Sequence, residues 1–408
     1  MKRKRFLFLG IVFVFAVLLL TFDSGPTLRA EDYESEPEFG SDYAWPEETG
    51  DFQEEAAYDS AGPVLVRGKV VSVVEEERSR DPFTDELVIN QTLRVRITSG
   101  EFKGEEVLAY NHGVSNPAFS IEVSEGSRAI LALELADGEI LQTYIADYLR
   151  EPQVYTMVVL FVILLLAIGW RQGAKSLCSL GITLVLVWCV LIPGLLRGYN
   201  PVIFTVAVAT VATAVTMFTV AGFSWKSIAS SLGTIFGLGL AGGLALVMGK
   251  AAHLTGFGSE EAVMLLYLPH DVQLDIQGLL FAGIIIGALG AVMDVSMSIA
   301  SAVAEVKKAN PALEIKALIK SGMNVGRDIM GTMSNTLILA YTGSSVPLLL
   351  ILLAYQESFL KMINLDMIAS EIVRALSGSI GMILVAPITA VISGFLYGSK
   401  NFQETKNN

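Results

Sequence analysis

The stretch from Gly278 to Val303 reads GLLFAGIIIGALGAVMDVSMSIASAV. At 1.5 Å per residue it makes a helix of about 39 Å, enough to cross the roughly 30 Å hydrocarbon layer of a bilayer. It contains one charged residue, Asp294. An ionisable side chain at membrane depth costs about 2.5–3.5 kcal/mol on insertion scales, so it faces a bundle interior or a water path. Gly283, Gly287, Gly290, Asp294, Ser298 and Ser301 recur every three or four residues and therefore share one face. Small residues around the acid leave room for a partner helix or for water, and Gly283, Gly287 and Gly290 are expected at helix contacts. Two readings of Asp294 fit this pattern. In one it is a buried, hydrogen-bonded packing residue; in the other it is a proton or cation relay.

The run from Ile329 to Ala354 supplies expected partners. Asn335 and Thr336 lie close to membrane depth and are placed to hydrogen-bond Asp294, with Thr332 adding a hydroxyl. Asn324, Asp328, Gly331 and Asn335 again fall on one helical face. The link from Ala304 to Asp328 is basic. Its stretch Pro311–Ile319 reads as an amphipathic helix at the inner interface. Arg327 and Asp328, with Glu305, are candidates for an inner gate or pair.

Working outward, eight apolar runs pass as spans: Phe6–Phe22, Val154–Trp170, Leu177–Leu196, Pro201–Phe223, Ile228–Gly249, Gly278–Val303, Ile329–Ala354 and Ala375–Tyr397. They are too long for barrel strands, so the expected class is a polytopic α-helical membrane protein. Composition agrees. The 408 residues are 52% hydrophobic and 17% charged, well below the roughly 25% charge of soluble domains. Mean hydropathy is +0.56. Phe6–Phe22 follows four basic residues and reads as a signal anchor or a signal peptide; its length and the Leu28-Arg29-Ala30 site favour the anchor.

The net charge is −13. Residues 23–153 carry 10 Lys/Arg and 29 Asp/Glu, a net of −19, against +6 for the rest. With Met1 inside, the five inner segments hold 14 Lys/Arg and the short outer loops hold only Arg197, Lys250, Lys361 and Arg374. This is the positive-inside pattern, and it places the N-terminus in the cytoplasm and residues 23–153 outside a bacterial plasma membrane. The expected layout is a first span (1–22), an acidic disordered stalk (23–62), an extracytoplasmic β module (63–148), a seven-helix membrane domain (149–400) and a cytoplasmic tail (401–408). Residues 31–59 hold 12 acids and no Lys or Arg, which cannot build a core. Beyond Pro63, alternating runs at Val64–Val71, Leu93–Ile97 and Ile130–Leu133, with turns at Ser99-Gly100, Lys103-Gly104, Glu125-Gly126 and Asp137-Gly138, predict five or six strands in an OB-like barrel or small sandwich. The module has no basic stripe, so nucleic acid is not an expected partner.

Several signals carry no chemistry. Gly237-Leu-Gly239-Leu-Ala-Gly242 matches a dinucleotide fingerprint but lies inside an apolar span, so Gly237 and Gly242 are read as helix-packing residues. Cys178 and Cys189 share one helix about 16 Å apart and cannot bridge. The loop Lys250–Gln277 holds His253, Glu260, Glu261, His270, Asp271 and Asp275 at irregular spacings, and Glu260 is read as a helix cap. No hydrolase, metalloprotease or P-loop motif occurs. The expectation is therefore no enzyme, no cofactor and no metal. Expected partners are the lipid bilayer, a second copy of the chain or other membrane proteins.

The segments Gly278–Lys307 and Ser321–Ile351, and above all Gly326-Arg327-Asp328-Ile-Met-Gly-Thr332-Met-Ser-Asn335-Thr336-Leu337, resemble the YibE/F family of bacterial membrane proteins. The likeness runs from about Val64 to the end. It implies a multi-pass membrane protein and no defined activity. A weaker likeness, in the order Gly-x-x-x-Asp294, Glu305, basic inner segment, Asn335-Thr336-Leu337, is to SecD/SecF and more distantly RND permeases, which use the proton gradient. Seven later spans instead of five, a smaller outer domain and a single acid depart from that pattern. The expected function is a permease or transport-associated protein, possessing a proton-coupling Asp294. The alternative is a structural or sensing envelope protein whose outer module binds a partner.

Overall fold

The computed structural model describes residues 62–399, except 83–84, 115, 117–119, 137 and 268–273. The expected first span, most of the stalk, the tail, His270 and Asp271 lie outside the described residues. These residues divide into two compact units, one up to Ile163 and one from Leu164 on.

The first unit contains a closed five-stranded barrel, not a sandwich. Its strands are β1 (Val64–Arg80), β2 (Leu87–Ile97), β3 (Glu106–Asn111), β4 (Arg128–Ala136) and β5 (Glu139–Tyr148), in the order β1-β2-β3-β5-β4. All pairs are antiparallel except β3 with β5, which meet in parallel at Tyr110 and Tyr144. That order and that parallel seam are the arrangement of an OB-like Greek-key barrel. β1 is long because it serves two neighbours. Residues 64–69 pair with β4 and 68–80 with β2, and irregularities at Val70/Ser72 and Val73/Glu75 bend it between them. Alternation fills the interior with Val66, Val70, Leu93, Val95, Ile97, Leu131, Leu133 and Ile145. The expected turns are present, with Gly100 at φ 82° and Gly138 at φ 81°, where a Cβ would be strained.

The second unit is a helical bundle. α1 begins in the first unit at Glu151 and ends in the second at Leu196, with a π-helical turn at Val187–Leu191. It is followed by α2 (Pro201–Ala221), α3 (Trp225–Ala251), the short α4 (Glu260–Met264), α5 (Ile276–Ala309), α6 (Ile315–Ser344), α7 (Val346–Ala354), α8 (Phe359–Asn364) and α9 (Asp366–Gly398). Asn200, Ser224 and Asp275 cap α2, α3 and α5 through side-chain oxygens that accept from backbone N–H groups. α5 is central. It packs against α2, α3, α6 and α9, and Ile285, Val292, Val295, Ile299, Met382, Val385 and Ala390 form the core between them.

Five helices are long and apolar enough to cross a membrane, and a sixth counts if α6 and α7 together make one broken span. The sequence predicted seven runs over the same residues, and the differences have local causes. Val154–Trp170 and Leu177–Leu196 both fall in α1, whose 46 residues would rise about 69 Å if straight. It is not straight: Trp170 has φ 46° and ψ −126°, and a Cβ on Gly173 would collide with the Leu165 carbonyl oxygen. The chain therefore folds sharply between the two predicted runs.

The expected span Ile329–Ala354 is broken at Ser345 by a 57° bend. Ser344 and Ser345 hydroxyls donate to the Tyr341 carbonyl, and Pro347 stands in the first turn of α7. At its other end, α6 begins at Ile315, so most of the expected separate amphipathic helix is its first turns. α9 begins at Asp366 instead of Ala375, which brings Glu371 and Arg374 into the helix. Ser259, not Glu260, caps α4, accepting from the Ala262 N–H.

Candidate functional site

α5 is buried on the face toward α3 and α9 and open on another. Gly283, Gly287, Gly290, Asp294 and Ser298 are all exposed, so the predicted stripe forms one open strip along the helix. This corrects the packing expectation for Gly283 and Gly290, which have nothing within 4 Å of a Cβ position. Gly287 lies under the Tyr341 hydroxyl of α6. Gly237 and Gly242 of α3 do sit at close helix contacts. Cβ atoms there would lie 3.0 Å from Val292 and Val385, and 2.9 Å from Ile285.

α6 runs antiparallel beside α5. Cβ positions on Gly322 and Gly326 reach Val303 and Ile299 at 2.9 and 3.2 Å. Interpolating between those contacts and Gly287–Tyr341 puts Asp294 level with the Gly331–Ser334 turn. The exposed face of α6 carries Asn324, Arg327, Asp328, Gly331, Thr332, Asn335 and Thr336. α6 is thus polar on its outward face, unlike its neighbours.

Asp294 hydrogen-bonds and ion-pairs with no described residue, so the expected bonds to Asn335 and Thr336 are not formed. The hydroxyls are used locally: Thr336 Oγ1 donates to the Thr332 carbonyl at 3.0 Å and Thr332 Oγ1 to the Ile329 carbonyl at 2.9 Å. Arg327 and Asp328 make no salt bridge among the described residues. Glu305 is exposed and pairs with Lys308 at 3.7 Å. The expected inner pair is therefore three separate surface charges. What α5 and α6 bring together is a lone carboxylate on a glycine-lined strip, level with a hydroxyl and amide face.

Two features were not read from the sequence. One is a polar knot in the core. The Ser296 hydroxyl donates to the Ser230 carbonyl at 2.6 Å and lies 3.2 Å from Thr389 Oγ1, which ties α5, α3 and α9. The other is an ion pair on α9, Arg374 Nη1 to Glu371 Oε1 at 2.7 Å, half-buried and facing Tyr341. The i, i+3 spacing of Glu371 and Arg374 was the available signal. Among the described residues no three His, Cys, Asp or Glu side chains converge on a metal geometry.

A barrel of OB-like topology followed by an apolar helical bundle defines a polytopic membrane protein with a small β domain. Residues 157–399 match the family described as YibE/F-like protein, and residues 66–148 match the YibE/F family N-terminal domain. The chain belongs to the YibE/F family. No curated protein and no solved structure matches it.

Proposed function

We propose that the chain is a permease or transport-associated protein of a bacterial plasma membrane, non-enzymatic and coupled to protons through Asp294. The observation that supports this is the Asp294 carboxylate itself. It stands mid-helix on an open strip of α5, with no partner among the described residues, level with Thr332. A carboxylate held by hydrogen bonds would be a packing device; one left unpaired at membrane depth is suited to take up and release a proton. The positive-inside charge distribution supports an inner N-terminus and an outer barrel.

The test is labelling by a hydrophobic carbodiimide, which reacts with protonated carboxyl groups within membranes. Asp294 in the full chain in vesicles becomes modified, and modification declines as the pH rises. Asp294→Asn keeps the folded yield and loses the proton-dependent cellular phenotype of the wild type. An Asn variant that keeps that phenotype in full removes the relay.

A second reading, a structural or sensing envelope protein, is favoured by the barrel. β3 and β5 are paired at Tyr110 and Tyr144, and beside that pair opens a cleft of about 590 Å³ lined by Phe102, Leu108, Tyr110, Leu141 and Gln142. Deleting residues 63–146 abolishes function if this reading holds and spares it if transport alone matters.

A further inference from the structure

We propose that the cavity between α6, α7, α8 and α9 is a binding site for an aminophospholipid of the surrounding bilayer, with Glu371 receiving its ammonium group. The cavity holds about 380 Å³, within the range of small-molecule sites. Its walls are aliphatic and aromatic, chiefly Ile338, Leu349, Phe359, Met362, Ile372 and Leu376. Tyr341, Thr342, Ser345 and Glu371 give it a polar side.

The choice of headgroup comes from unused hydrogen-bonding capacity. Glu371 Oε1 accepts from Arg374, but among the described residues the buried Glu371 Oε2 has no hydrogen-bond partner, and neither has Arg374 Nε. Thr342 and Ser345 hydroxyls donate to backbone carbonyls of α6, so they do not serve Glu371. A carboxylate oxygen in that position lacks an N–H or O–H donor. A primary ammonium supplies both the donors and the charge. Glu371 lies five residues into α9, about 7.5 Å from its start, the depth at which headgroups meet hydrocarbon if α9 crosses the membrane. The inference is independent of any role for Asp294.

The experiment compares phosphatidylethanolamine and phosphatidylcholine of identical acyl chains on the purified full chain in detergent, with retained lipid read by native mass spectrometry. Choline headgroups carry the same charge and no N–H donor. The ethanolamine lipid is expected to be retained about tenfold more strongly, the fold-change of one hydrogen bond to a charged group. Glu371→Ala lowers it to the choline level. Ala375→Trp, which fills the cavity and leaves the ion pair in place, displaces it as well. Equal retention of the two lipids by the wild type overturns the proposal without reference to any variant, as does undiminished ethanolamine-lipid retention by a folded Ala375→Trp.

Discussion

The Ser296 hydroxyl of α5 donates to the Ser230 carbonyl of α3, 66 residues away in sequence and 2.6 Å away in space. Thr389 of α9 completes the contact at 3.2 Å, and Gly233 makes it possible, since a Cβ there would lie 2.8 Å from Ser296 Oγ and closer still to Thr389 Oγ1. Three helices therefore meet where a single added methyl group does not fit. Interhelical side-chain hydrogen bonds in membranes are worth about 0.6 kcal/mol on average, so Ser296→Ala is a mild change. Gly233→Leu is a severe one, because α3 must move away from both neighbours and the core opens. Thermal unfolding in detergent should separate them, with a shift of a few degrees for the serine variant and loss of the folded peak for the leucine variant.

The barrel has a comparable buried knot. Gln91, 3% exposed, donates through Nε2 to the Val123 carbonyl at 3.1 Å and to Glu76 at 3.0 Å, and its Oε1 accepts from Asn111 Nδ2 and the Val123 N–H at 3.1 Å each. It pins the β3–β4 connection to β2. Gln91→Leu keeps the volume but leaves both backbone groups of Val123 unsatisfied, at about 1–3 kcal/mol for each buried group. Amide exchange at Val123 and across β2 should accelerate by at least tenfold, while the bundle helices are unaffected. Unchanged protection would mean that the connection is held by Val123 packing alone.

The barrel also carries acid sensitivity. The Arg150 guanidinium beside Asp147 holds its carboxyl below the ordinary value, partial burial opposes this, and the Tyr148 N–H assists the lowering. Glu76 is lowered in the same sense by Arg78 and then Gln91. A carboxyl depressed in the folded state contributes stability that is fully present above its unfolded value, near pH 4, and is lost as the pH falls through the folded value. Barrel protection should therefore be level with respect to these two groups from pH 7 to about 5 and fall below about 4. Asp147→Asn should flatten that acid limb, and a limb of unchanged steepness would assign it to other carboxyls.

Much of this fold is legible in the residues. Alternation at Leu93, Val95 and Ile97 and the Gly100 and Gly138 turns mark the barrel, because a half-buried strand must alternate and a tight turn needs a residue that tolerates positive φ. That Gly283, Gly287, Gly290 and Asp294 share one helical face follows from spacing alone. What spacing does not reveal is which side of a strip is covered. Small residues at Gly283 and Gly237 look alike in sequence, yet the first faces open space and the second faces Val292. Partners of Asp294 were likewise predicted from proximity in depth, whereas Thr332 and Thr336 satisfy their hydroxyls on their own helix. Helix ends at Asp366 and Ile315 lie beyond the apolar runs because helical geometry continues past hydrocarbon into polar sequence, which a hydropathy criterion does not see.

The break at Trp170 bears on how often α1 crosses the membrane. A tryptophan at φ 46° is strained, at a cost on the order of 1–3 kcal/mol, and glycine at that position relieves it. Arg171 and Lys175 follow at once, and basic residues collect on the cytoplasmic side. A turn between two crossings is the expectation that fits the contact of Leu165 with Gly173, the length of α1 and the position of these charges. A single tilted span leaves roughly half of α1 without hydrocarbon to occupy, although Val154–Trp170 and Leu177–Leu196 are both apolar. The two arrangements differ in one observable. With Cys178 and Cys189 replaced by serine, a cysteine at Gln172 should react with a membrane-impermeant thiol reagent only from the side opposite to that which labels cysteines at Pro152 and Tyr199. Labelling of Gln172→Cys and Tyr199→Cys from opposite sides of the membrane, with Pro152→Cys and Tyr199→Cys on the same side, gives two crossings within α1. Gln172→Cys that no aqueous reagent reaches from either side gives one. Trp170→Gly should preserve the labelling pattern and raise the unfolding temperature, because it removes the strain and keeps the turn.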